Sequence, residues 1–187
     1  KRIEKLKNSK PVEITGEEYE GKYSDRKTAK QWMRENLRGE YTNNDTGERI
    51  IVSNAGINEV TSHGTTDEAH MKSLVAIPRM IESSIFIDEL DNNKGNGKAD
   101  SYRYYVCPLK IDGEDYTAKI VVGKKNGSSY YDHRLTQIEK GKLISSLNRL
   151  SNSVAENETS PVSVGKDTKL LSILQTNPEE IAQAEAR

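Results

Sequence analysis

Polar and apolar residues alternate most cleanly between Tyr116 and Val122. Tyr116, Ala118, Ile120 and Val122 share one side, while Thr117, Lys119 and Val121 share the other. That period of two belongs to a β-strand with one covered face. Before it, Ser101 to Ile111 is rich in tyrosine and branched residues and ends at Asp112-Gly113; after it, Asn126-Gly127 leads into Ser128 to Gln137. Both dipeptides readily supply the positive φ angles of a two-residue hairpin turn, so the stretch predicts a three-stranded antiparallel meander. Its open face is expected to carry Lys119, with Arg103 and His133 near it.

A helical period precedes the meander. Ala29, Trp32, Met33 and Leu37 repeat at helical spacing after a Ser24-Asp25 cap and before Gly39, which predicts a helix with Trp32 as a core anchor. Val12 to Ile14 reads as a short strand or an arm, and Arg49 to Ser53 as a short buried strand, with turn-like composition from Glu40 to Glu48. Asn54 to Ser62 has no clear pattern. Thr65 and Glu68 have the spacing of a capping box, so a second helix is expected there. Its buried side carries Met71, Leu74, Val75, Ile81 and Ile85, and Pro78 should kink or divide it. Ser84 to Leu90 reads as extended. Asp91 to Asp100 is a polar, glycine-rich loop; its glycine falls one position early for a calcium loop and no glutamate closes the twelfth position, so no metal is assigned to it.

These elements predict an α+β fold, with N-terminal helices packed on one face of a roughly four-stranded antiparallel sheet. The domain spans 24–141, preceded by an arm at 1–23 and followed by a polar extension at 142–187. Within that extension Lys142 to Leu150 reads as a helix, and the serine- and asparagine-rich remainder as a poorly packed tail.

Composition narrows the chemistry. Of 187 residues, 28 are Lys or Arg and 29 are Asp or Glu, so any anionic partner has to be met by a local patch. The single cysteine, Cys107, excludes an internal disulfide and a cysteine-based zinc cluster. No run reaches the length of a membrane span and no signal peptide is visible. A chain opening on Lys1 reads as a piece of something longer.

Three histidines are the natural acid/base candidates: His63, His70 and His133. His63 precedes the capped helix, whose free N–H groups favour an anion. Its bland reading is an exposed loop residue. His70, one turn into that helix, reads first as a partly buried structural residue and second as a partner of His63. His133 is expected to project from the last strand beside Tyr131.

The succession GERIIVSNAGINEVTSHG, IPRMIESSIFI, SYRYYVCPLKI, DYTAKIVVG and YYDHRL resembles a large polyvalent protein-associated domain of phages and integrative elements, of the group with barnase-EndoU-colicin-RelE-like nucleases. The resemblance runs from about Asp25 to Lys140. It implies a metal-independent endoribonuclease, without cofactor, acting in the bacterial host cytoplasm on RNA such as tRNA or ribosome-bound message, with a neutralising or polyprotein partner. RNA cleavage of this kind needs a base for the 2'-OH, an acid for the leaving oxygen and a cation for the phosphate. His63 and His133 would be the acid/base pair, in either order, with Lys119 on the phosphate and Tyr131 as proton donor or stacking platform. Arg103, His70, Tyr105 and Thr117 would complete the substrate site. The competing reading is a catalytically inactive protein- or RNA-binding module. Convergence separates them: an enzyme needs His63, Lys119 and His133 around one hollow.

Overall fold

A computed structural model describes residues 2–15, 18, 26–62, 68–92 and 99–143. His63, Thr65, the centre of the 91–100 loop and the extension beyond 143, including its expected helix, lie outside these described residues. In chain order the elements are α1 (Arg2–Lys7), β1 (Val12–Ile14), α2 (Arg26–Asn36), β2 (Gly39–Thr42), β3 (Arg49–Val52), α3 (Asn54–Ser62), α4 (Glu68–Lys72), a 3-10 turn (Ser73–Ala76), α5 (Ile77–Ser83), β4 (Ile85–Asp91), β5 (Ser101–Ile111), β6 (Glu114–Lys125) and β7 (Ser128–Lys140).

The meander forms as its pattern requires. Asp112 and Gly113 take φ of 50° and 79°, and Asn126 and Gly127 take 51° and 80°, the doubly positive geometry that matches the twist of antiparallel strands. Each turn fixes a register: Arg103 stands opposite Val122 across the first hairpin, and Tyr131 opposite Val122 across the second.

The sheet around it differs from the expected one. It has seven strands in the order β1-β5-β6-β7-β3-β2, with β4 also on β5, and it curls into a half-barrel. It is mixed, because β1 runs parallel to β5 and β3 parallel to β7. The four-stranded, all-antiparallel sheet with helices on one face is therefore corrected. The strands that were not anticipated are short: β2 has four residues, three of them exposed, so no hydrophobic period marks it. Parallel partners distant in sequence leave no local signal either.

Pro78 divides the second helical stretch, which breaks into α4, the 3-10 turn and α5. Proline sits in the first turn of α5, where its missing N–H is not needed. Asn43 does similar work for the turn-like stretch after β2. Fully buried, its Nδ2 donates to the carbonyls of Ile81 and Ser84, both at 2.8 Å, while its Oδ1 accepts from the amides of Asp45 and Thr46. One side chain thus ties the β2–β3 loop to the end of α5.

Apolar burial falls into two clusters. The larger gathers Ala29 and Met33 of α2, Leu37 just after it, Ile57 of α3, Leu74, Ile77, Met80 and Ile81, and the β5–β6 positions Tyr105, Cys107, Leu109, Ala118, Ile120 and Val122; Trp32 packs against it, as an anchor should. The smaller joins Leu6, Ile87, Val106 and Leu143 with Tyr104. Since Val106 and Tyr104 alternate with Tyr105 and Cys107 along β5, the two clusters occupy opposite faces of the sheet. Both faces of the meander are thus covered, at least locally, and the open face expected from sequence is largely closed.

Candidate functional site

Strand β7 contains an irregularity that organises everything around it. Lys119 pairs with Gln137, yet Val121 pairs with Asp132, so β7 carries three more residues than β6 across this interval. The resulting bulge at 133–136 takes backbone groups out of the ladder, and side chains replace the lost partners. His70 Nε2–H donates to the carbonyls of His133 and Thr136, at 2.8 and 3.1 Å. Thr136 Oγ1 accepts the Val121 amide at 3.2 Å and donates to the Asp132 carbonyl at 2.7 Å. Asp132 Oδ1 accepts the Leu135 amide at 3.0 Å.

His133 completes the arrangement from the strand side. Its Nδ1 accepts the Tyr131 hydroxyl at 2.7 Å and its Nε2–H donates to the His70 carbonyl at 3.1 Å. The two imidazoles lie 4.1 Å apart between centroids, tilted by 35°. Both histidines and Tyr131 are buried. Burial, and then the neighbouring His70, hold the His133 pKa well below the ordinary histidine range, so the ring is neutral. Burial raises the Tyr131 phenol, which keeps its proton to donate.

The other sequence-predicted groups stand elsewhere. Lys119 is on the opposite face of β6 from Ile120, bound to Glu139 at 2.9 Å; burial lowers its pKa, and Glu139 opposes that shift. Thr117, on the same side as Lys119, donates to the Gly141 carbonyl at 3.1 Å. Arg103 and Tyr105 are drawn together by Glu48, whose Oε2 accepts from both. The structure therefore joins His70, Tyr131 and His133 in one buried cluster and Arg103 with Tyr105 in another, and it separates both from Lys119 and Thr117. His133, expected to project from an open face, points into the core, because the Asn126-Gly127 register puts it on the side of Tyr131 and Val122. His63 falls outside the described residues.

The opening that sequence reasoning missed lies between α3 and β7. It is a groove of about 340 Å³ lined by Ser53, Ala55, Gly56 and Glu59 from the α3 side, Ala99 and Tyr102, Gly123 and Lys125, and Tyr130 to Asp132 with Arg134. Two glycines shape it. A Cβ on Gly56 would sit 3.3 Å from the Tyr131 carbonyl, so glycine lets α3 approach β7 closely. Gly123 stands between Tyr102 and Tyr130 in register, and the Tyr102 ring lies over it, 3.6 Å from where a Cβ would be. The bulge turns Arg134 into the same groove as Asp132, with Arg134 Nε 4.0 Å from Glu59 Oε2. Burial raises the Asp132 pKa, the Leu135 amide opposes this, and the charge of Glu59 raises it further. The Tyr102 phenol is raised by burial and by Asp132. A glycine inside a strand pattern, followed by Tyr130, Asp132 and Arg134 at spacing two, was the available signal.

The family model for large polyvalent protein-associated domain 3 matches residues 20–131, more than half of the chain. The chain belongs to this family. No curated protein and no solved structure gave a match. In this domain 3 chain the matched span takes in α2 to β6 and the first residues of β7. It stops at Tyr131, so Asp132, Arg134 and the bulge lie just past it.

Chemically, the histidine cluster and the groove are unlike. The histidine cluster is a buried hydrogen-bond system whose groups satisfy the backbone of β7, with His70 Nδ1 left without a partner. The groove is open. Around Asp132 it carries a second carboxylate, Glu59, the Arg134 guanidinium and the rings of Tyr102 and Tyr130, while Lys125 belongs to its hairpin end, opposite Ser128. Among the described residues no three His, Cys, Asp or Glu side chains gather into a metal-holding group.

Proposed function

We propose that this domain is a binding module of a polyvalent protein, taking a basic segment of a protein partner into the α3–β7 groove, and not an RNA-cleaving enzyme. One observation carries the reading: the ring nitrogens of His133 and Nε2 of His70 are committed to holding the β7 bulge in the core, while Lys119 is on the far side of the sheet in an ion pair with Glu139. An acid/base pair has to reach its substrate, and these two rings are buried.

The groove supports the partner chemistry. Asp132 and Glu59 are set against the Arg134 guanidinium, and burial first, then the charge of Glu59, raises the Asp132 pKa. A lysine or arginine side chain entering there would meet two carboxylates and the faces of Tyr102 and Tyr130, which attract cations. With Arg134 and Lys125 the lining carries two charges of each sign, so it offers a polyanion such as RNA no basic track.

The test has two arms. In EDTA, the domain is incubated with mixed RNA; in parallel, fluorescein-labelled decapeptides rich in arginine or in glutamate are titrated by anisotropy. The reading expects intact RNA, saturable binding of the arginine peptide, and loss of that binding with Asp132→Asn combined with Glu59→Gln. RNA cleavage abolished by His133→Ala would overturn it in favour of an endoribonuclease.

A further inference from the structure

The bulge in β7 is held by a device whose charge state matters. His70 grips the two carbonyls that the bulge releases, and His133 holds its own place through Tyr131 and the His70 carbonyl. We propose that this histidine pair is an acid-sensitive latch: uptake of a proton by His133 releases the 133–136 bulge and, with it, the groove wall that carries Asp132 and Arg134.

Four elements surround the rings. His70 comes from α4 and Ser73 from the 3-10 turn; Tyr131, His133 and Thr136 come from β7; Cys107 of β5 lies close to Tyr131. Of these, the titratable groups are the two histidines, Tyr131 and Cys107. The hydroxyl and the thiol are held protonated by burial. The nearest carboxylate along the strand, Asp132, turns away into the groove and accepts the Leu135 amide. Among the described residues, an imidazolium at His133 would thus be buried with no anion to receive it, 4.1 Å from a second imidazole. A buried, unpaired charge is among the most unfavourable groups a core can hold.

Relief is close by, because the bulge reaches the surface: Leu135 is 38% exposed. Opening 133–136 hydrates the ring and sacrifices only a local set of bonds, whereas hydrating it from the helix side would disrupt the main core. A histidine whose folded pKa lies below its unfolded value favours the closed state fully above about pH 6.5. That advantage declines as pH falls from there through the folded pKa. The latch stands on this geometry whether or not the groove takes a peptide.

Pulse-labelled hydrogen exchange on the intact chain tests it, with protection corrected for intrinsic pH dependence. At pH 7.5 the Val121 and Leu135 amides should be protected. At pH 5 peptides covering 131–137 should lose protection about tenfold or more, the equivalent of one pKa unit, while peptides from the β5–β6 turn and α5 keep theirs. His133→Gln, whose amide can still accept from Tyr131 and donate to the His70 carbonyl, should stay folded by circular dichroism and lose the acid response. The proposal falls if wild-type protection at 131–137 ignores pH, if all strands lose protection together, or if the glutamine variant responds to acid as the wild type does.

Discussion

Glu48 and Arg103 form a salt bridge that pins the β2–β3 loop onto β5, with the Tyr105 hydroxyl donating to the same carboxylate oxygen at 2.7 Å. The guanidinium also lies over the Phe86 ring, 4.4 Å from its centroid. Arg103 and Glu48 are both largely buried, at 17% and 10% exposure. Removing Glu48 leaves Arg103 only the more exposed Glu89, 3.8 Å away, and takes an acceptor from Tyr105. Glu48→Ala should therefore cost about 3 kcal/mol in urea unfolding, the low end for a broken buried pair. The exposed pair Arg49–Glu40 provides the contrast: Glu40→Ala should stay within about 0.5 kcal/mol. Equal effects at the two sites would mean that Glu48 does not hold the loop.

Asp132 should behave unlike most acidic residues. Its folded pKa is raised above the ordinary aspartate value, chiefly by burial. Such a group contributes stability below its unfolded pKa and loses it as pH rises through the folded one. Asp132→Asn keeps an oxygen for the Leu135 amide and removes the charge. Its melting temperature should equal or exceed that of wild type at pH 7, and the difference should shrink below about pH 4, the unfolded aspartate pKa. A variant clearly less stable at pH 7 would show that the ionised carboxylate is needed to hold the bulge.

Cys107 should be inert in the folded protein. It is buried at the centre of β5, and burial pushes its thiol up to about 12. A thiolate-dependent reagent at pH 8 should label it only after denaturant is added, because the nucleophile is the thiolate. Rapid labelling under native conditions would mean that the meander opens often.

Two glycines of the meander separate backbone strain from lack of space. Gly127 has φ of 80° and open room where a methyl would go, so Gly127→Ala should cost about 1 kcal/mol through strain alone. Gly123 faces the opposite situation, with ordinary φ and the Tyr102 ring at contact distance. Gly123→Val, whose methyls would press on the Tyr102 ring and Ala99, should cost about 1–3 kcal/mol through overpacking and also reduce peptide binding. Calorimetry and anisotropy on the same variants distinguish the two effects.

Much of this was legible in the chain. The two turn dipeptides and the alternation from Tyr116 to Val122 specify the meander, and they also specify its registers. Counting back from Asp112-Gly113 puts Arg103 opposite Val122, on the covered face, and counting on from Asn126-Gly127 puts Tyr131 there too. That arithmetic already separates Arg103 and Tyr131 from Lys119, so the grouping of all three around one phosphate was avoidable. The bulge was not. Nothing in Asp132 to Thr136 announces three extra residues, because the partners that stabilise them, His70 and Val121, come from other elements. β2, with three of its four residues exposed, carries no period, and the parallel seams of β1 and β3 leave no trace, even where the strands themselves were read, because their partners β5 and β7 lie far along the chain. The groove sits where those unreadable features meet.

The two parallel seams also bear on how the domain comes to exist. Val12 needs Leu109, and Ile50 needs Ser129, so during synthesis both early strands leave the ribosome long before the strands that will shelter them. The two hairpins of the meander pair neighbours in sequence and can begin to form as soon as they emerge. Everything upstream then has to be recruited onto it, and until that happens the apolar residues of β1 and β3 are the parts of this chain most in need of protection from other molecules.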